Sequence, residues 1–175
     1  MNTQIGEKMI EAALVGDLRL VGQYLDEGID PDSQDPEGHT ALHQAAFSGH
    51  PEIVSKLIRV GANVDARTHG IAETAGQTPL MSAAMTARTE SPDIISILLQ
   101  AGSDPNVQDE KGRTALIWCA QRSGDVDAAR ALINGGADPT LTDGLGQTAL
   151  DHARKEKNTD LAEYLEDITR NRGSL

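Results

Sequence analysis

Four stretches of the chain share one order of small, polar and apolar residues, and each predicts a turn followed by a short helix. Each begins with a glycine, has a threonine two positions later, and continues with an alanine or proline and a leucine. The threonines recur every 34 to 38 residues, at Thr40, Thr78, Thr114 and Thr148. A repeat of this length is one supersecondary unit, which must bury its apolar face against its neighbours. The pattern therefore predicts a stack of similar units.

A second apolar segment follows the short helix in each unit and predicts a second helix. These segments cover residues 53–58, 94–99 and 128–133. A glycine stands three residues after each segment, where a left-handed residue ends a helix. A less regular first copy ends at Gly28, 33 residues before Gly61. The chain is therefore predicted to be all-α, with two helices in each unit.

The repeated order, best seen in residues 38–46 and 76–84, resembles the ankyrin repeat family, whose repeat has about 33 residues and a T-P-L-H-x-A core. The resemblance covers nearly the whole chain. It implies an ankyrin-repeat solenoid of stacked helix-turn-helix units with protruding turn fingers. The expected units, all in one domain, are a degenerate N-terminal capping repeat (1–34), an ankyrin repeat (35–67), an ankyrin repeat with two insertions (68–108), an ankyrin repeat (109–142), a C-terminal capping repeat (143–168) and a tail (169–175).

The unit at 68–108 is enlarged at two places. The loop that ends at Gly76 is seven residues longer than the one that ends at Gly112, which makes residues 68–75 an enlarged finger. Residues 85–91 predict a longer helix tail or connection. Insertions in solenoids map to loops on one face, often the binding face. The alternative is drift in a surface loop, which costs little stability.

Both ends of the chain are more polar than its middle. Residues 1–34 carry seven acidic and two basic residues, and Arg154 replaces the second alanine of the last copy. Terminal repeats of a solenoid have a solvent-facing side and are expected to be polar. We therefore expect capped ends and a complete protein.

Composition narrows the range of partners and compartments. The 175 residues carry a formal net charge of −12, which argues against nucleic acid or an anionic membrane as the main partner. No apolar run is long enough to span a membrane, and the N-terminus lacks a signal-peptide pattern. Cys119 is the single cysteine and cannot form an internal disulfide, so we expect a reducing, cytoplasmic location. At a small-residue position, Cys119 is interpreted as core filler.

The resemblance implies a binding surface. Partners of the family commonly bind the concave face, which is formed by the turn tips and the outer side of the first helices. The positions carried over as partner-binding are His39, Phe47, Gln77, Met85, Arg113, Trp118, Arg122 and Leu145. Trp118 has two interpretations, an exposed anchor or a filler between helices. The mixed chemistry at Gln44, Ser82, Trp118 and His152 predicts partial exposure at that position.

No arrangement of catalytic or metal-binding residues stands out in the sequence. His39 and His43 are four residues apart, but a turn separates them, and no second pair of metal ligands accompanies them. We expect no metal and no cofactor. The resemblance implies that His43 hydrogen-bonds the repeat turns, and His69 with Glu73 is the nearest approach to a polar site. The leading hypothesis is a monomeric, non-catalytic module that binds another protein. The alternatives are a structural or regulatory subunit that self-assembles or joins a larger complex, and an enzyme.

Overall fold

The computed structural model describes residues 2–70 and 73–172. Within them the chain forms five helix pairs joined by turns and loops. The helices are α1 (Asn2–Val15), α2 (Leu18–Asp26), α3 (Ala41–Ser48), α4 (Pro51–Arg59), α5 (Pro79–Ala84), α6 (Ser91–Gln100), α7 (Ala115–Trp118), which continues as a π-helical turn (Cys119–Ser123), α8 (Val126–Asn134), α9 (Ala149–Lys155) and α10 (Thr159–Arg172). The one β-bridge in this part of the chain joins Thr142 and Thr148.

The helices form two layers. The first helices of the pairs, α1, α3, α5, α7 and α9, pack side by side in chain order, and so do the second helices, α2, α4, α6, α8 and α10. The alanines of the first helices, such as Ala45 and Ala84, are fully buried and let neighbouring helices approach closely. The predicted all-α solenoid is confirmed. No helix in the described ranges combines the length and apolar character needed to cross a membrane.

The sequence signals at the helix ends act as predicted. Each motif threonine precedes a first helix, and its side chain accepts a hydrogen bond from the backbone N–H three residues later, as at Thr40 and Thr114. The glycines after the second helices are left-handed; Gly61 and Gly102 have φ of 93° and 97°. These signals fix where each helix begins and ends, and therefore where the connecting turns emerge.

The two ends of the chain are more regular than expected. The first pair is complete, since α1 has 14 residues and packs on α3 through buried residues such as Met9 and Ala13. At the other end, α10 continues through Arg172, so residues 169–172 are helical and the tail expected at 169–175 is corrected to that extent. Ile168 packs against the core, and the Thr169 hydroxyl donates to the Leu165 carbonyl oxygen. Residues 173–175 lie outside the described part.

The first helix of the fourth pair contains a one-residue insertion that the repeat pattern did not predict. Gly49 follows Thr40 by nine residues, whereas Gly124 follows Thr114 by ten, and both glycines end the helix in the left-handed conformation. The π-helical turn Cys119–Ser123 accommodates the extra residue. In the last pair the left-handed position is taken by Lys157, with φ of 61°.

The turns before the motif threonines project as four fingers, residues 35–38, 68–75, 109–112 and 143–146. Backbone hydrogen bonds join each finger to the next. His69 N–H donates to the Glu37 carbonyl oxygen at 3.1 Å, and Gly144 N–H donates to the Lys111 carbonyl oxygen at 2.8 Å. The fingers therefore form one continuous wall beside the first helices.

The enlarged finger keeps the turn geometry of the others. In three fingers an aspartate holds the turn; Asp109, for example, accepts from Arg113 N–H at 2.8 Å and donates its own N–H to the Arg113 carbonyl oxygen. In the enlarged finger Thr68 replaces the aspartate, and its hydroxyl accepts from Gln77 N–H at 2.9 Å. The extra residues lie between these two anchors. Ile71 and Ala72 of this finger fall outside the described residues.

Candidate protein-binding groove

The wall of fingers and the row of first helices meet along a groove that contains two pockets. The central pocket has a volume of about 310 Å³. It is lined by His39, His43, Gln44, Phe47, Thr74, Gln77, Ser82 and Met85. The C-terminal pocket has a volume of about 400 Å³. It is lined by Glu73, Lys111, Arg113, Gln121, Asp143, Gly144, Leu145, Gln147, His152 and Lys155. This groove corresponds to the concave face expected to bind partners.

The central pocket has an apolar rim and a polar floor. Phe47 on α3, the single phenylalanine of the chain, is 39% exposed at the rim. Met85 stands on the opposite side, half-buried, with its Sδ 3.1 Å from Nε2 of Gln77. Ser82 on the floor is buried. The pocket can therefore surround an apolar group from one side while offering hydrogen-bonding atoms beneath it.

His43 ties the floor of the central pocket to Gln77, at the base of the enlarged finger. Its backbone and ring engage the cap of α3, with Nδ1 2.9 Å from Oγ1 of Thr40, and its Nε2 lies 3.1 Å from the carbonyl oxygen of Gln77. Burial is the main reason that the pKa of His43 falls from 6.5 to about 4. The neutral ring bridges two successive repeats, as the resemblance implied.

The carboxylates of the C-terminal pocket are occupied by contacts within the chain. Glu73 pairs with Lys111 and with Arg113, and the hydrogen bond from Lys111 is the largest cause that lowers its pKa. Asp143 lies 2.8 Å from Nε2 of His152. Burial alone would raise the pKa of Asp143, but the hydrogen bonds that its carboxylate accepts outweigh burial and lower it.

A buried cluster beside the C-terminal pocket corrects two expectations and decides a third. The side chain of Trp118 is fully buried, and Arg113 is 5% exposed with its guanidinium carbon 3.8 Å from the centre of the Trp118 ring. The indole N–H and the Nε of Arg113 both donate to Oδ2 of Asp109, at 3.0 and 2.8 Å. Gln77 is also buried, at 2%. The exposure expected for Gln77 and Arg113 is therefore wrong, and of the two interpretations of Trp118 the filler between helices is the one observed, because the polar atoms of these residues hold the fingers to the helices.

The other predicted residues remain accessible to different degrees. Leu145 at the tip of the last finger is 83% exposed, and Arg122 is exposed beside the Trp118 ring at 5.8 Å. His39 is half-buried, with Nδ1 3.2 Å from Oδ2 of Asp35. The central pocket brings His39, Phe47, Gln77 and Met85 together, whereas Arg113 and Leu145 line the C-terminal pocket. Partner binding by these residues stays a prediction.

The fourth position of the first helices is more buried than its chemistry indicated. Ser82, Trp118 and His152 are buried, and only Gln44 is half-buried. Trp118 and His152 turn toward the aspartate of their own finger, nine residues earlier in the sequence. Sequence reasoning missed Asp109 and Asp143. In the sequence, each of the two could have been found as an acidic residue three positions before the motif glycine.

Two features bear on metal or nucleophilic chemistry. One ligand atom each from Asp35, Glu37 and His39 lies within 4.8 Å of the others. These groups already serve the turn, since Oδ1 of Asp35 accepts from the N–H groups of Glu37 and His39. The thiol of Cys119 is buried, and burial raises its pKa to about 11. It therefore lacks the accessible thiolate of a reactive cysteine.

A wider and shallower depression lies on the second helices, away from the groove. Its volume is about 670 Å³. It is lined by Leu18, Pro51, Glu52, Ser55, Lys56, Ile58, Arg59 and Ile97. This outer depression provides control positions for experiments on the groove.

Several known proteins are similar to this chain. An ankyrin repeat-containing protein of Treponema pallidum (strain Nichols) is 32% identical over 120 residues, which cover 69% of this chain and 38% of that protein. Human Rabankyrin-5 is 34% identical over 135 residues, covering 66% of this chain and 11% of its own length. Human SH3 and multiple ankyrin repeat domains protein 1 is 32% identical over 128 residues, covering 71% of this chain and 6% of its own. This chain therefore covers well under two thirds of the length of each of these relatives.

A family model for ankyrin repeats, in three copies, matches residues 9–109 and 85–171. The two matches together account for most of the chain and for all four motif threonines. Ankyrin repeats are generally protein–protein interaction modules. With the stacked helix pairs and capped motif turns described above, these matches show that the chain belongs to the ankyrin repeat family.

Proposed function

We propose that this chain is a non-catalytic protein-binding module, an adaptor, inhibitor or stabiliser of one partner protein, which it holds in the groove between the fingers and the first helices. The observation that carries the proposal is the pairing of two pockets with exposed apolar residues, Phe47 beside the central pocket and Leu145 beside the C-terminal pocket. Aromatic residues and methionine are enriched at protein interfaces, and exposed apolar side chains such as these are stabilised when a partner removes them from water.

The polar groups along the groove support binding rather than catalysis. His43 is held between Thr40 and Gln77, and His152 is held against Asp143. A general base needs a lone pair directed at a substrate proton. The Nδ1 lone pair of His43 instead accepts from Thr40 N–H. His152 donates Nε2–H to Asp143, while the amide nitrogen of Gln121 lies 3.2 Å from its Nδ1. We further propose that the protein acts as a monomer in the cytoplasm, in keeping with its single stack and single buried cysteine.

The test compares bait variants in an affinity capture from cell extract, followed by quantitative mass spectrometry. Phe47→Ala and Arg122→Ala alter the groove, and Val60→Ala is a matched control because Val60 is 50% exposed at the end of α4, on the second-helix side. We expect a protein that wild type and Val60→Ala retain equally and that Phe47→Ala loses. A partner lost only with Val60→Ala would contradict the proposal.

Light scattering coupled to size-exclusion chromatography tests the oligomeric state. We expect the mass of one chain, 18.6 kDa. A concentration-dependent dimer that Phe47→Ala dissociates would instead favour self-assembly through the groove.

A further inference from the structure

The groove changes character along its length. The residue seven positions after the motif threonine is Phe47, Met85, Gln121 and Lys155 in successive repeats. The first two line the central pocket and the last two line the C-terminal pocket. Because the first helices pack in chain order, these side chains follow one another along the groove. The groove therefore runs from an aromatic ring, through a thioether and an amide, to an ammonium group.

The C-terminal end of this row carries the ammonium group of Lys155. Lys155 is exposed and forms no salt bridge within residues 2–70 and 73–172. The other cations of its pocket are neutralised, Lys111 by Glu73 and Arg113 by Glu73 and Asp109. Among the three cations that line this pocket, Lys155 is therefore the one that forms no salt bridge with the described residues. It favours a ligand that brings a carboxylate to this end of the groove.

We propose that the groove takes an extended segment of a partner protein that places a large apolar side chain in the central pocket and a carboxylate at Lys155. This inference rests on the proposed function of the groove and specifies the chemistry of the partner. When the apolar side chain of the partner enters the central pocket, it removes apolar surface of exposed Phe47 and half-buried Met85 from water, which stabilises the complex. The ammonium of Lys155 attracts the carboxylate and fixes the direction of the segment.

The dimensions of the stack set the spacing of the two groups. Packed helices lie about 8–10 Å apart, so the path is roughly 16–20 Å from α5 to α9 and roughly 24–30 Å from α3 to α9. An extended chain advances about 3.3 Å per residue. The apolar and acidic residues of the partner segment should therefore be separated by about five to nine positions.

The experiment pans a phage-displayed library of random dodecapeptides against the full chain. We expect enriched peptides that carry a large apolar residue and an aspartate or glutamate at the stated spacing. The enriched peptide is then synthesised with a fluorescent label, and its affinity is measured for wild type, Phe47→Ala, Lys155→Glu and Lys56→Glu. Lys56 lines the outer depression, so its reversal makes the same charge change away from the groove. Circular dichroism melting checks that each variant is folded.

We expect Phe47→Ala and Lys155→Glu each to weaken binding about tenfold or more, and Lys56→Glu to bind like wild type. A peptide with lysine in place of its acidic residue should bind Lys155→Glu better than wild type. Enrichment without acidic residues, an affinity insensitive to Lys155→Glu, or loss with Lys56→Glu alone would overturn the inference. So would no enrichment at all. In these cases the capture experiment with Phe47→Ala still decides the proposed function by itself.

Discussion

The indole N–H of Trp118 donates a hydrogen bond to Oδ2 of Asp109 across 3.0 Å, which ties the first helix of the fourth pair to its own finger. The same carboxylate accepts from Arg113, whose guanidinium also reaches Glu73 on the enlarged finger. One fully buried aromatic residue therefore supports both the helix layer and the finger wall. Its role is structural, although it stands next to the groove.

Replacing Trp118 should lower stability strongly. Trp118→Ala removes a fully buried side chain, and we expect a loss of about 3–5 kcal/mol in the free energy of unfolding. Trp118→Phe keeps much of the ring but removes a hydrogen bond to a charged group, which costs about 1.5–3 kcal/mol. Denaturant unfolding followed by circular dichroism measures both, since Trp118 is the single tryptophan and its fluorescence is lost in the variants.

Phe47→Ala is the control for this prediction, because Phe47 is 39% exposed and lies at the rim of the groove. We expect it to cost clearly less stability than either change at Trp118. Equal losses at the two aromatic positions would mean that Phe47 is also part of the core.

The buried ring of His43 predicts a dependence of stability on pH. The pKa of His43 in the folded protein is about 4, below the ordinary value of 6.5. Between these values the unfolded chain binds more protons than the folded chain, so stability falls as the pH decreases. Above pH 6.5 the ring is neutral in both states and His43 does not lower the stability. By pH 4 the free energy of unfolding has fallen by about 3 kcal/mol through this residue. Urea unfolding at several pH values measures it.

His43→Gln isolates this effect. Carboxylates with lowered pKa values, such as Asp143 and Asp151, also lose stability in acid, and they are present in both proteins. Asp35 and His39 lie near the ring and act electrostatically on it. The difference in pH slope between wild type and variant therefore reports His43. Parallel slopes between pH 4 and 6.5 would contradict the assignment.

Most of the fold followed from the sequence, because each repeat carries local signals that its neighbours confirm. A motif threonine such as Thr78 caps a helix whatever the surroundings, and four copies in register fix the stack. The exposure of Trp118 could not be predicted, because it depends on Asp109, which acts through a side-chain hydrogen bond across a turn. The sequence left both interpretations of Trp118 open, and the contact decides for the core.

The enlarged finger illustrates a second limit. Its length was visible in the sequence, but the residue that replaces the turn aspartate was not. Thr68 and Gln77 are nine positions apart, whereas Asp109 and Arg113 are four apart, so spacing alone could not reveal that both pairs make the same backbone contacts. The insertion lengthens the finger but leaves the hydrogen bonds at its base in place.

Cys119 should be inert while the protein is folded. The thiol is buried, its Sγ lies 3.3 Å from the Asp125 carbonyl oxygen, and burial raises its pKa to about 11. A thiol reagent needs both access and thiolate. We expect labelling by a chromogenic disulfide at neutral pH to be at least about 100-fold slower in buffer than in concentrated guanidinium chloride. Equally fast labelling in both would contradict the burial of Cys119.

The left-handed backbone at Lys157 predicts a stabilising substitution. Lys157 has φ of 61° and is exposed after α9, at the position where Gly49 and Gly124 end the first helices of earlier pairs. A side chain in this conformation carries steric strain of about 1–2 kcal/mol, and glycine offsets part of that gain by its greater freedom in the unfolded chain. We therefore expect Lys157→Gly to raise the free energy of unfolding by about 0.5–1 kcal/mol. Lys157→Ala is the matched control, since it removes the charge and keeps the strained Cβ. If Lys157→Ala stabilises the protein as much as Lys157→Gly, the charge and not the backbone conformation is responsible.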